Sequence, residues 1–160
     1  MSIFDNSLEP LKRMRRKARE RRLLATQNVK DSLARRLEGD QEAFDHSPVS
    51  FSPNPAQHSV GILLVHGFTG SPHSMRPLAQ RFMKLGYAVE MPLLTGHGTH
   101  WKDLRDSTYE QWLASAEQGY RRLADQGLRV VVVGMSMGGT VATHLSARLP
   151  VAGTVLINPY

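Results

Sequence analysis

The 160-residue sequence predicts an α/β fold, a parallel sheet covered by helices on both faces, preceded by a basic helical extension. Three observations predict it. Short apolar runs of the buried-strand type, VGILLV at 60–65 and RVVVV at 129–133, alternate with segments of helical period. Strand and helix follow one another in strict alternation, the pattern of crossover connections in a parallel sheet. Composition also changes near residue 58, where a charged stretch punctuated by Pro48, Pro53 and Pro55 gives way to the alternating region. The chain therefore divides into an extension at 1–44, a linker at 45–57 and an α/β region at 58–160.

In the extension, Leu8, Leu11, Met14, Ala18, Ala25, Val29, Leu33 and Leu37 trace an apolar stripe that Arg22 interrupts, which reads as one or two amphipathic helices. Strand 60–65 ends at His66-Gly67. Ser71 then reads as an N-cap with Pro72 at the first helical position, and Met75, Leu78, Ala79, Phe82 and Leu85 form the stripe of a helix that Gly86 stops. YAVEM (87–91) is the next strand, closed by Pro92. A loop rich in glycine and histidine runs to about 106, and Ser107 with Glu110 reads as a capping box. Tyr109, Trp112, Leu113, Ala116, Tyr120 and Leu123 share one helical face, which Gly127 ends. The central strand RVVVV, a helix over 140–149 and a strand GTVLIN (153–158) complete the order.

Composition excludes several classes of protein. With no cysteine, disulfide frameworks, Cys-based zinc sites and thiol nucleophiles are ruled out. No apolar run approaches the ~20 residues of a membrane span, and no signal-like apolar stretch follows the basic N-terminus, so the expected setting is cytoplasmic. The net charge of +6 is local. Residues 10–24 hold eight Lys or Arg against Glu20 alone, and the rest of the chain sums to −1. That block reads as a solvated charged helix, with weak contact to an anionic membrane surface as the second reading; nucleic acid is disfavoured because no recognised binding module accompanies it.

The central strand runs directly into Gly134-Met135-Ser136-Met137-Gly138-Gly139 and then a helix, the G-x-S-x-G pattern in its strand-turn-helix context. Small flanks at Gly134 and Gly138 permit a tight turn that lifts the Ser136 hydroxyl above the sheet, beside the free N–H groups of a helix start. Neither phosphate-binding glycine pattern, G-x-x-x-x-G-K-[ST] nor G-x-G-x-x-G, occurs. A second motif, ILLVHGFTGSP (62–72), lies at the end of the first strand. Acyl transfer needs two backbone N–H groups converging on one oxygen, and Met137 and Phe68 are the candidates, with Gly67 and Gly70 turning the loop. His66 reads as a residue that orders this loop.

HGFTGSP, Gly96-His97-Gly98 and GMSMGG together resemble the alpha/beta-hydrolase superfamily, in particular bacterial carboxylesterases and monoacylglycerol lipases, over roughly residues 59–160. The resemblance implies that Ser136 is a nucleophile, that Phe68 and Met137 form an oxyanion hole, and that His97 stands at the rim of the site. Where such relatives usually carry a proline before Gly-His-Gly, this chain has Thr95. In the superfamily the acid and base follow the serine. Here six of seven histidines precede Ser136, and His144, two turns along the same helix, cannot reach back to it. The expectation is therefore the N-terminal portion of a serine carboxylesterase or lipase-like hydrolase, cofactor-free, with small-molecule ester substrates and with its acid and base missing from this chain. Alone, the chain is expected to be inactive. Thioesterase, serine aminopeptidase and a non-catalytic module that keeps the pocket are the alternatives. His97, His100 and Asp103 have a spacing that a metal cluster permits, but the glycines around them indicate a loop, and no metal is expected.

Overall fold

The computed structural model describes residues 45–54 and 57–159. The extension, its basic block at 10–24 included, lies outside the described residues. From Asp45 onward the chain forms one compact unit around a five-stranded sheet. Its strands are β1 (Val49–Phe51), β2 (Val60–Val65), β3 (Ala88–Met91), β4 (Arg129–Met135) and β5 (Val151–Ile157), in the spatial order β1-β3-β2-β4-β5. β3, β2, β4 and β5 are parallel neighbours, and β1 pairs antiparallel with β3. The helices are α1 (Arg76–Lys84), α2 (Trp101–Asp106), α3 (Tyr109–Ala124) and α4 (Met137–Arg148).

Side-chain alternation along β2 explains the two-sided core. Leu63 and Val65 point to one face, where Leu113, Ala116, Tyr120 and Leu123 of α3 and Val141, Ala142 and Leu145 of α4 pack on them. Ile62 and Leu64 point to the other, against Met75, Ala79 and Val89. A strand sandwiched in this way must be apolar throughout, which is why VGILLV and RVVVV show no polar alternation.

Several expectations need correction. The segment read as a linker contains β1, whose Val49, Ser50 and Phe51 pair with Met91, Glu90 and Val89. Ser71 is the N-cap residue of a 3-10 helix, Pro72–Met75, ahead of α1 rather than of α1 itself, and its hydroxyl makes no cap but is hydrogen-bonded to His46 Nδ1 at 2.7 Å. Leu85, counted in the α1 stripe, follows the end of that helix and is exposed. The capping box of α3 sits one residue later than expected, on Thr108 and Gln111. Ser107 instead donates to the Leu104 carbonyl at 2.7 Å and accepts from Trp112 Nε1 at 2.8 Å. The loop ending near residue 106 contains α2, whose N-cap is His100.

Among the described residues one charged side chain is buried in the sheet. Glu90, in the middle of β3, is only 1% exposed; its carboxylate accepts from Arg122 Nε of α3 at 2.8 Å and from the Ser50 hydroxyl of β1. Three elements thus meet on one buried anion, whose charge costs free energy unless it is paired and hydrogen-bonded. Arg122→Ala should therefore lower stability by about 1–3 kcal/mol, less than for a fully buried pair because the arginine is half exposed. Urea denaturation followed by circular dichroism would read this as a lower midpoint with an unchanged slope.

Candidate active site

Ser136 is the single residue between the end of β4 and the start of α4. Its backbone has φ 52° and ψ −122°, a left-handed conformation that costs a residue with a side chain of order 1–3 kcal/mol. The surrounding packing imposes it. A Cβ on Gly134 would overlap the Gly138 carbonyl, and one on Gly138 would fall on the carbonyls of Val65 and His66. Those glycines let β4, α4 and the end of β2 approach backbone to backbone. The Ser136 N–H donates to the Ile157 carbonyl at 2.9 Å, tying the turn to β5, and its carbonyl accepts from Gly139 N–H at 2.8 Å. The Ser136 hydroxyl makes no hydrogen bond among the described residues.

The loop after β2 lies directly against this turn. A Cβ built on Gly67 would stand 3.2 Å from Ser136 Cβ and 3.8 Å from its Oγ. The loop closes through Gly70 N–H to the Gly67 carbonyl at 3.1 Å, and Thr69 takes a positive φ of 57°. Neither the Phe68 nor the Met137 N–H donates a hydrogen bond among the described residues, and Met137 opens the first turn of α4, where helix N–H groups have no intrahelical acceptor. The Phe68 side chain is 56% exposed, its ring 6.0 Å from Trp112 and 6.1 Å from His97.

His66 is fully buried and uses both ring nitrogens. Nδ1 lies 3.0 Å from the Gly67 carbonyl, and Nε2 accepts from Leu94 N–H at 3.1 Å. Those partners define the neutral Nδ1–H tautomer. Burial pushes its pKa down to about 4, with the Gly67 carbonyl opposing and His97 adding slightly to the shift. His66 thus staples the loop after β2 to the loop after β3, in accord with the role expected of it.

His97 is 2% exposed, enclosed by the rings of His66 at 5.0 Å, Trp112 at 5.5 Å and Phe68. Its Nδ1 lies 3.2 Å from the Thr95 carbonyl, and burial lowers its pKa. Trp112, read from sequence only as part of a helical stripe, supplies one wall of this enclosure. Thr95, in place of a proline, hydrogen-bonds Ser115 of α3 through its N–H (3.3 Å) and hydroxyl (3.0 Å), the first of which a proline lacks. His100 and Asp103 form the capping box of α2, His100 Nδ1 accepting from Lys102 N–H and Asp103 from His100 N–H. Among the described residues no group of three His, Cys, Asp or Glu could hold a metal ion, and no helix is long and apolar enough to cross a membrane. His144 is engaged with the Tyr109 hydroxyl at 3.1 Å.

Ser136 thus stands on a strained strand-to-helix turn, flanked two residues away by Gly134 and Gly138 and faced by the loop after β2. Residues 62–160 match the Alpha/beta hydrolase family, and the chain belongs to it. It is 51% identical over 100 residues to a thermostable monoacylglycerol lipase of Bacillus sp. (strain H-257), covering 62% of this chain and 40% of that protein. It is 32% identical over 108 residues to a carboxylesterase of Bacillus subtilis (strain 168), covering 65% of this chain and 44% of that one. Among solved structures, one from the LipS and LipT pair of metagenome-derived lipolytic enzymes matches with a TM-score of 0.66 and 36% identity, over 71% of this chain and 46% of that one. The chain therefore spans less than half the length of the relatives it matches.

Two predictions follow from this geometry. Gly134→Ala and Gly138→Ala should each cost about 3 kcal/mol or more and leave little folded protein, since backbone carbonyls cannot move aside. Gly153→Ala, whose Cβ would meet only Val131 Cγ2 at 3.9 Å, should fold normally, and circular dichroism melts of the three variants make the comparison. His66 gives a pH dependence. It is neutral in the fold and has an ordinary pKa near 6.5 when unfolded, so its contribution is complete above about pH 6.5 and falls by up to about 3 kcal/mol as pH drops to about 4. Thermal midpoints measured from pH 8 to pH 4 should decline over that window, and less steeply in His66→Gln.

Proposed function

We propose that Ser136 is the nucleophile of a carboxylic-ester hydrolase that works through an acyl-enzyme. The observation that carries this reading is the conformation of Ser136 itself: a strained residue held by packing, with its hydroxyl beside Gly67 and a free N–H on the next residue. Relatives named as lipolytic enzymes and esterases support it. Ser136 Oγ would attack the ester carbonyl carbon while a base accepts its proton, and the oxyanion would be held by the N–H groups of Met137 and Phe68. The carbon–oxygen bond to the alcohol then breaks, the alcohol leaves with a proton, and water releases the acid. His66 is no candidate for that base, because both its nitrogens are committed to holding loops together. The acid and base lie outside the described residues. Esters of primary alcohols with short to medium acyl chains, monoacylglycerols included, are the proposed substrates.

A second reading is a module that keeps the pocket without the chemistry. Hydrolysis of p-nitrophenyl butyrate by the 160-residue chain, and by the protein expressed with whatever coding sequence follows Tyr160, separates the two. The shorter chain should show at most a small residual rate, since oxyanion donors alone retain only a minor part of such catalysis. In any form that turns over ester, Ser136→Ala should lower kcat/KM by about a thousandfold or more while the thermal midpoint stays within a few degrees. Full turnover in that variant, or a fluorophosphonate adduct mapped to another serine, would remove Ser136 from the mechanism. Substrate range gives a further prediction. The His66-Gly67-Phe68 loop lacks the H-G-G-G run that widens the oxyanion hole, so a tert-butyl ester should react at least about tenfold more slowly than its n-butyl isomer, ~1.4 kcal/mol in the barrier.

A further inference from the structure

The short segment before β1 touches both loops that flank the candidate site. Arg76, at the start of α1, donates through Nη2 to the backbone carbonyls of Asp45 and Ser47, each at 3.0 Å, and pairs with the Asp45 carboxylate at 2.9 Å. Ser47 N–H closes a turn on Asp45 Oδ1 at 2.9 Å. Held in that turn, His46 projects between two pieces of backbone. Its Nδ1 is 2.7 Å from the Oγ of Ser71, a buried residue at the end of the loop that carries Phe68. On its other side it meets Gly98, where an added Cβ would stand 3.1 Å from His46 Cβ and 3.3 Å from Cγ. The turn after Ser71 is closed by the Ser74 N–H and hydroxyl, both donating to the Ser71 carbonyl, so a displacement of Ser71 shifts the start of that turn as well.

We propose that His46 is a positioning residue, and that the Asp45–Ser47 turn is a strap that sets the spacing between the Phe68 loop and the Gly96–Gly98 loop. The catalytic consequence rests on the reading of Phe68 N–H as an oxyanion donor, but the strap is defined by geometry alone. Its two arms differ in chemistry. Toward Ser71 it is a hydrogen bond from one ring nitrogen, and toward Gly98 it is van der Waals contact with the body of the residue. His46→Asn, whose amide reaches close to the place of Nδ1 and which keeps Cβ and Cγ, should preserve both arms. His46→Ala removes the hydrogen bond and the Cγ side of the contact, keeping only Cβ.

Hydrogen exchange read residue by residue by NMR on the isotope-labelled chain tests this without substrate, so a failure to detect esterase activity leaves the outcome intact. The reporters are the amides of Gly70, bonded to the Gly67 carbonyl, and His97, bonded to the Leu94 carbonyl. His46→Ala should speed exchange at both by roughly tenfold while amides of β4 and α3 keep their rates. Ser71→Ala should speed Gly70 alone. His46→Asn should return both Gly70 and His97 close to their original rates, a rescue that general loosening of the fold cannot produce. Unchanged exchange at both reporters in His46→Ala, or equal acceleration across β4 and α3, would overturn the proposal. Were the alanine variant not to fold, Ser71→Ala decides: Gly70 fast with His97 and the amides of β4 and α3 unchanged upholds the strap, and an unchanged Gly70 rejects it.

Discussion

Backbone meets backbone without intervening side chains where β4 hands over to α4, and the rest of the candidate site depends on that contact. Gly134 passes the Gly138 carbonyl, and Gly138 passes those of Val65 and His66. Because the helix is so close to the strand it leaves, only one residue can connect them, and Ser136 must take a positive φ. The same closeness brings the loop after β2 beside the hydroxyl. Placement of the Ser136 hydroxyl, exposure of the first helix N–H and proximity of the second loop are therefore one steric event. The strain at Ser136 is offset by the buried faces of β2, β4 and α4 around it.

The electrostatic character of the site is set by two histidines that carry no charge near neutral pH. His66 is fully committed between Gly67 and Leu94, and His97 is enclosed by three rings. Burial lowers the pKa of both, so neither contributes a positive field to an anion that forms at Ser136. In the proposed reaction, backbone N–H groups and the start of α4 would be the sources of stabilisation. Such fixed dipoles require little reorganisation during a reaction. Their precision depends on loop placement, which explains why so many polar contacts, from Thr95 to Ser115 and from His66 to Leu94, are spent on holding loops still.

The parts legible in the sequence were those whose physics is local in the chain. Continuous apolar runs reported the buried strands, because a strand covered on both sides has no polar side to reveal. Glycines two residues on either side of Ser136 reported the turn for an equally local reason. What escaped depended on partners far away in sequence. β1 has three residues and too little pattern to be seen; it is a strand because β3 offers it a free edge. Ser71 had every mark of a helix cap, yet its hydroxyl is taken by His46, 25 residues earlier. His97 sits between glycines and reads as a loop residue, and only the packing of Trp112 and Phe68 around it accounts for its burial. α2 was missed because a histidine serves as its cap, outside the usual Ser, Thr, Asp and Asn set.

β1 also bears on where the folded unit can be cut. The apolar run of β2 starts at Val60, and a truncation designed from hydrophobicity alone would begin there or shortly before. Such a species would strip β3 of its antiparallel neighbour and leave a row of unpaired amides and carbonyls open to another chain. Glu90 would lose the Ser50 hydroxyl at the same stroke, and the Phe68 and Gly98 loops would lose the histidine lodged between them. A piece that keeps its own sheet border begins no later than Val49, and one that also keeps the turn holding His46 no later than Asp45, some fifteen residues upstream of the first obvious strand.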